Sequence, residues 1–317
     1  MPETTEPLIS IGIPTYERAG TLLRAVESAL AQTYRYIEVV VYDDGSGDAT
    51  EAVVRELAAR DGRLRYLRSP QNRGLAENHN LLFAEMVGEY VMLLSDDDWL
   101  EPTYVERCLA VLRADSDLVL VCGQALYLDG ERIVRRGIEL DLTQPSSGDR
   151  ILSYLRQVDE NGLLYGLMPR AVLERATPLR NVLGNDWLLV MGVLAQGKAT
   201  TIHTTSVRRD LGGSSADFRK LTTTLRLPGW QARIPHLVIA WQVLREVGWR
   251  GSAYGGLPGA SRARLAVGGA WAAIRWSSLA WHLTMPTFAA IGQRRRGGWL
   301  WEAYRRFTRR VGAGRHS

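Results

Sequence analysis

The sequence predicts an α/β protein, a doubly wound, mostly parallel sheet flanked by helices, followed by a helical C-terminal region. Three observations carry that expectation. Short apolar runs alternate with segments of helical periodicity through the first hundred residues, at the pitch that right-handed crossovers require. The run Tyr90-Val91-Met92-Leu93-Leu94 is continuously apolar, as a strand buried on both faces is. Successive runs also end in polar loops, which parallel strands gather on one edge of the sheet.

Leu8 to Ile13 reads as the first strand, stopped by Pro14, and Glu17 to Gln32 as the first helix, with Leu22, Leu23, Val26, Ala29 and Leu30 on one face. Ile37 to Tyr42 and Asp48 to Arg60 form the next strand and helix. Leu64 to Leu67 with Leu75 to Met86 repeat the unit, and Tyr90 to Leu94 closes it. Further on, Asn161 to Met168 reads as a strand, Val182 to Asp186 as a turn into an apolar helix running to about Ala195, and Ala199 to Thr204 as another strand. Eight of the ten tryptophans follow residue 225, so the composition changes there. Gly251 to Gly259 reads as a glycine-rich linker.

The chemistry gathers in the loops. Leu93-Leu94-Ser95-Asp96-Asp97-Asp98-Trp99 sets three carboxylates side by side at the end of an apolar strand. Adjacent acids repel unless a cation sits among them. A solvated turn with Asp98 capping the next helix is the plainer account. The carboxyl end of a central strand is nevertheless where open α/β sheets bind ligands, and hard cations such as Mg²⁺ and Mn²⁺ share oxygen ligands with substrate phosphates. A metal-diphosphate site follows. Asp43-Asp44-Gly45-Ser46 alone would be an ordinary turn. Asn72-Arg73-Gly74 before a helix suits a diphosphate or a cap equally.

Taken together, Pro14-Thr15-Tyr16-Glu17-Arg18, Ala31-Gln32-Thr33-Tyr34, Val41-Tyr42-Asp43-Asp44-Gly45-Ser46, Asn72-Arg73-Gly74 and Ser95-Asp96-Asp97-Asp98-Trp99 resemble the family 2 glycosyltransferases of the nucleotide-diphospho-sugar transferase (GT-A) fold, over roughly residues 7 to 215. The resemblance implies inverting transfer of a sugar from a nucleotide donor, UDP-sugar favoured, to a glycan, lipid-linked or small-molecule acceptor, with Mn²⁺ or Mg²⁺. By motif, Pro14, Thr15, Tyr16 and Glu17 line the nucleotide pocket. Asp44 accepts from the base, Asp96 binds the ribose, Arg73 lies by the diphosphate, and Asp97 ligates the metal, with Asp98 or water as a substitute ligand. Many relatives carry another acid where Leu94 stands. Asn185-Asp186 resembles the acid pair whose second member is the catalytic base, which gives that role to Asp186; capping its own helix is compatible with it. Ser206 to Ser215 resembles the segment that closes over the donor, and the His common in relatives near Asp210 or Leu211 is absent. The resemblance divides the chain into a GT-A domain over 1–220, with nucleotide-sugar binding in 7–100 and the acceptor and catalytic half in 101–220, and a Trp- and Arg-rich helical region over 221–317.

Composition narrows the remaining classes. At 317 residues and 46% hydrophobic content the chain can bury a large core. Cys108 and Cys122 show neither metal spacing nor a disulfide framework, and the acidic N-terminus has no signal-type apolar run, so a cytoplasmic location is expected. The net charge of +5 is uneven: residues 251–317 hold eleven Arg against Glu302, which leaves −5 for the rest. Leu265 to Ile291 is apolar but broken by Arg275 and His282, unsuited to span a bilayer. Leu300, Tyr304, Phe307 and Val311 alternate with arginines in the pattern of a helix lying on an anionic membrane at the inner face of the plasma membrane, or equally of one packed on the domain. No nucleic-acid module accompanies the basic tail. The rival class is a non-catalytic nucleotide-sugar-binding or scaffold protein of the same fold. Processive synthesis is disfavoured by the missing Gln-x-x-Arg-Trp motif.

Overall fold

The computed structural model describes residues 6–158, 161–210 and 218–274. Alternating strands and helices open the chain: β1 (Ile9–Thr15), α1 (Ala19–Leu30), β2 (Ile37–Asp43), α2 (Thr50–Ala58), β3 (Leu64–Arg68), α3 (Leu75–Glu85) and β4 (Tyr90–Leu93). Next come β5 (Asp98–Leu100), α4 (Tyr104–Ala114), β6 (Leu118–Asp129), β7 (Arg132–Arg136), β8 (Asp141–Leu142), α5 (Ser147–Gln157), β9 (Met168–Pro169) and α6 (Arg170–Ala176). The described part closes with α7 (Asn185–Leu194), β10 (Lys198–Asp210), α8 (Phe218–Thr224), α9 (Pro235–Arg245) and α10 (Gly259–Ala273).

The first sheet runs in the order β3-β2-β1-β4-β9, parallel except for the short edge pair β4 with β9. β1 is almost wholly buried because helices cover both faces, which is why its sequence is apolar without alternation. The strand order reverses direction between β1 and β4, and a doubly wound sheet opens its ligand crevice at that switch point. A second sheet, β5-β10-β6-β7, continues the layer, with β6 and β10 parallel and the other pairs antiparallel.

Three expectations about elements change. Residues 161–168 are not a strand: Gly162–Tyr165 is a 3₁₀ turn, and Leu167 makes a single two-way bridge to Val121 before β9. Glycines at 162 and 166 bracket the apolar residues, so Leu163 and Tyr165 bury themselves through a turn. Residues 251–259 are not a bare linker, since Ser252–Tyr254 forms a turn whose tyrosine is buried. Arg208 to Asp210, expected in a closing segment, extend β10, where pairing with β5 and β6 satisfies their backbone. Leu225, Val238, Ile239, Val243, Tyr254 and Leu265 pack into one apolar cluster with Leu155, Leu188 and Trp187. Residues up to 274 form one compact unit, and the amphipathic pattern at 300–311 lies outside the described residues.

Candidate active site

The carboxyl edge of the first sheet carries the expected residues, and backbone geometry explains how. At the end of β1, Thr15 is buried and its Oγ1 donates to Asp96 Oδ2 at 2.8 Å, closing the switch point between β1 and β4. Burial pushes the Asp96 carboxyl up to about 6; the Thr15 bond, the Arg18 charge and the Tyr16 N–H pull the other way, and Asp97 adds to the rise. Beyond Pro14, Tyr16 and Glu17 stand exposed, and Glu17 adopts φ 53°, a left-handed conformation that costs a non-glycine residue energy and clusters at ligand sites. Its N–H donates to Ser46 Oγ at 2.8 Å, which ties the first loop to the second.

At the end of β2 the two acids are committed differently. Asp43 accepts from the Ser46 hydroxyl at 2.6 Å and the Tyr66 hydroxyl at 2.6 Å, so it braces the turn. Asp44 accepts from the backbone N–H of Arg73 at 2.7 Å and of Gly74 at 2.8 Å, drawing the third loop against the second. Burial raises its carboxyl, and those two N–H groups offset the rise. Between them Gly45 holds φ 79°, where an added Cβ would lie 2.9 Å from the Gln71 backbone. The Arg73 side chain is exposed.

The acid triplet divides its work. The Asp97 carboxylate takes no hydrogen bond or ion pair among the described residues, while its carbonyl accepts from Arg24 at 3.1 Å. Asp98, expected beside it as a metal ligand, already has protein partners. It is buried, bonded by the Tyr165 hydroxyl and paired with Arg209 at 3.2 Å. The reason is register: β5 pairs with β10 so that Asp98 faces Arg209, and burial of both favours their pairing. Burial also pushes Asp98 up to about 6 against the Arg209 charge. Leu94 is fully buried, so no second acid replaces it. No three His, Cys, Asp or Glu side chains among the described residues form a metal cluster. A hard cation bound here would find the Asp97 carboxylate, which no described residue engages, and would complete its shell with substrate phosphate and water, as Mg²⁺ commonly does.

Asp186 sits in the first turn of α7, half-buried, after Gly184 in a left-handed conformation at φ 80°. Packing fixes that glycine too, because an added Cβ would lie 2.9 Å from Ile239 of α9. Asn161 Nδ2 donates to Asp186 Oδ2 at 3.1 Å, and the Tyr154 hydroxyl donates to Asn161 Oδ1 at 3.0 Å, which settles which way the amide points. Burial raises the Asp186 carboxyl; the Asn161 bond and the Arg209 charge lower it. Arg209 bonds and pairs with Asp98, and its charge is among the influences that hold the Asp186 carboxyl down. Sequence reasoning did not single out Asn161, Tyr154 and Tyr165, nor the pairing of Arg209 with Asp98. Their pattern carries no motif, and only the packing of α5, the 162–165 turn and β10 brings them together.

A parallel sheet with carboxylates gathered at its switch point, continued by a second sheet that brings in a further acid, defines a nucleotide-sugar transferase of the GT-A type. The family model described as glycosyl transferase family 2 matches residues 10–175, and the chain belongs to that family. A chondroitin synthase from Escherichia coli is 40% identical over 131 residues, covering 41% of this chain and 18% of that protein. The chain therefore spans less than a fifth of that relative's length. Residues 1–349 of S. aureus TarS superpose with a TM-score of 0.58 at 15% identity, over 82% of this chain and 70% of the other, and the same segment is known in complex with UDP-GlcNAc. The mannosyltransferase PcManGT from Pyrobaculum calidifontis, in complex with GDP-Man and Mn²⁺, gives a TM-score of 0.51 at 17% identity over 92% and 82% of the two chains.

Proposed function

We propose that this glycosyltransferase moves a sugar with inversion from a nucleotide-diphosphate donor to an acceptor hydroxyl, with Asp186 as the base and Asp97 as the protein ligand of a divalent cation. One observation carries the reading: the Asp97 carboxylate, which takes no hydrogen bond or ion pair among the described residues, directly follows Asp96, which Thr15 ties across the switch point, while Asn161 holds Asp186 in the first turn of α7. Bound Mn²⁺ or Mg²⁺ would neutralise the diphosphate as it leaves. In this reading Asp96 accepts from the ribose, Pro14, Thr15, Tyr16 and Glu17 line the base, Asp44 accepts from it through a free lone pair, and Arg73 meets the diphosphate. Asp186 takes the acceptor proton as the hydroxyl attacks the face opposite the leaving group, which inverts the anomeric centre. Asp98 anchors Arg209 instead of ligating metal.

The known UDP-GlcNAc complex of the TarS segment supports a UDP-sugar, and the GDP-Man complex of PcManGT keeps GDP in play. The acceptor is a glycan, lipid-linked or small-molecule hydroxyl, in cell-envelope glycan, polysaccharide or glycolipid synthesis. A thermal-shift panel of UDP-, dTDP- and GDP-sugars with Mn²⁺ tests the donor. At a hundred times its Kd a ligand adds about 2.7 kcal/mol, or about 5–10 °C for a domain of this size. One nucleotide class should raise Tm, and only with metal. A panel in which none does so would end the reading.

Asn161 supplies a second test. Its amide stabilises the ionised Asp186, so Asn161→Ala removes a bond that lowers the carboxyl and lets burial raise it further. The base works only when ionised. The acid limb of kcat/KM is therefore expected to move to higher pH in the variant, with kcat lowered at neutral pH. A pH-rate profile whose limb stays put would reduce Asn161 to a brace for its loop.

A further inference from the structure

Helix α9 presents a second surface, away from any role in the chemistry above. Ile234, Leu237 and Trp241 follow one another at three- and four-residue intervals, so they share one stripe, and they stand 39%, 38% and 52% exposed. The opposite face, Val238, Ile239, Ala240 and Val243, is buried in the core, so the helix is anchored and its outer stripe is left uncovered. The flanking turns extend it: Trp230 precedes the helix at 55% exposure and Trp249 follows at 70%. Single exposed apolar residues are ordinary on protein surfaces, but three tryptophans with Ile and Leu along one helix and its two turns mark an interaction face.

Charge identifies the partner. Residues 226–274 hold six arginines and one acid, Glu246. That acid's side chain is only 14% exposed and is paired with Arg180 at 2.9 Å, so the surface around the stripe is cationic. Arg233 and Arg250 are exposed at its two ends, and the Arg245 guanidinium lies 5.9 Å from the Trp241 ring centroid. Tryptophan beside arginine on an amphipathic face suits the boundary of an anionic bilayer: the indole sits at headgroup depth while the guanidinium meets lipid phosphate. No described helix is long and apolar enough to cross a membrane, so the contact is one of lying on the surface. We infer that the stripe Trp230, Ile234, Leu237, Trp241 and Trp249 docks the enzyme on an anionic lipid bilayer, with Arg233, Arg245 and Arg250 against lipid phosphates. The contact is separate from the tail pattern at 300–311 and independent of the roles assigned to Asp97 and Asp186.

The test is co-sedimentation of the full chain with phosphatidylcholine vesicles, with and without phosphatidylglycerol. Binding should require the anionic lipid and weaken with salt. The double variant Trp241→Glu, Trp249→Glu should bind at least about tenfold more weakly, and Arg233→Glu with Arg250→Glu should lose the preference for phosphatidylglycerol. Both pairs should keep the parent's Tm and metal-dependent response to donor, which separates this contact from the donor site. The inference is overturned if the tryptophan variant binds anionic vesicles as tightly as the parent, since the contact would then belong to another segment. It is overturned equally if the parent ignores phosphatidylglycerol, or if the tryptophan changes alter the oligomeric state while vesicle binding persists.

Discussion

Asp186→Asn is expected to lower sugar transfer by about 10²- to 10⁴-fold, the usual worth of a general base, with donor affinity unchanged. The substitution keeps size and shape, and the amide can still be approached by Asn161 and sit in the first turn of α7. It removes only the ability to accept a proton. Because burial disfavours the carboxylate at this position, a neutral amide carries a smaller desolvation cost there, and Tm should hold or rise. That combination separates chemistry from folding: a structural residue would lose stability, whereas a base loses turnover alone. Transfer to acceptor, measured beside donor affinity by calorimetry, reads both. Activity within a few-fold of the parent would place the base elsewhere.

Asp97→Asn is expected to weaken Mn²⁺-dependent donor binding by at least about 10- to 100-fold, the loss that even outer-shell partners of a metal produce, while metal-free binding stays as it was. The size follows from how little else can hold the cation. Leu94 is a buried hydrocarbon, and Asp98 is occupied by Tyr165 and Arg209. Asp96 is engaged by Thr15. Replacing Asp98 instead would break its ion pair with Arg209 and its bond to Tyr165, and would confuse folding with ligation. Donor titrations with and without Mn²⁺ on parent and variant give the answer. If Mn²⁺ strengthens donor binding by the same factor in both, Asp97 is not the ligand.

The first half of the fold was legible because its cues are local. The apolar runs at 9–13, 37–41 and 90–93 can be buried only in a covered sheet, and the helical spacing between them leaves little choice of connection. The loops at 14–17, 43–46 and 95–98 were legible for the same reason, since the carboxyl ends of parallel strands must share an edge. Past residue 160 the cues failed. Asn161 to Met168 has the apolar content of a strand, but two glycines and the demand to bury Tyr165 beside Asp98 turned it. Gly251 to Gly259 has the composition of a linker, yet Tyr254 docks in the core.

The sequence by itself determined the layered α/β order and the edge on which the strand-end loops meet, because neighbouring residues in the chain settle strand, turn and cap; Asp44, Asp96, Asp97 and Asp186 were singled out by the resemblance of their motifs. Only the tertiary structure decided which of the triplet is left without a partner among the described residues, that Arg209 pairs with Asp98, that Asn161 aims at Asp186, and that Trp241 of α9 and the tryptophans of its flanking turns are exposed. Those outcomes depend on side chains more than twenty residues apart meeting at distances of about 3 Å. Register and packing set such meetings, and no local pattern records them.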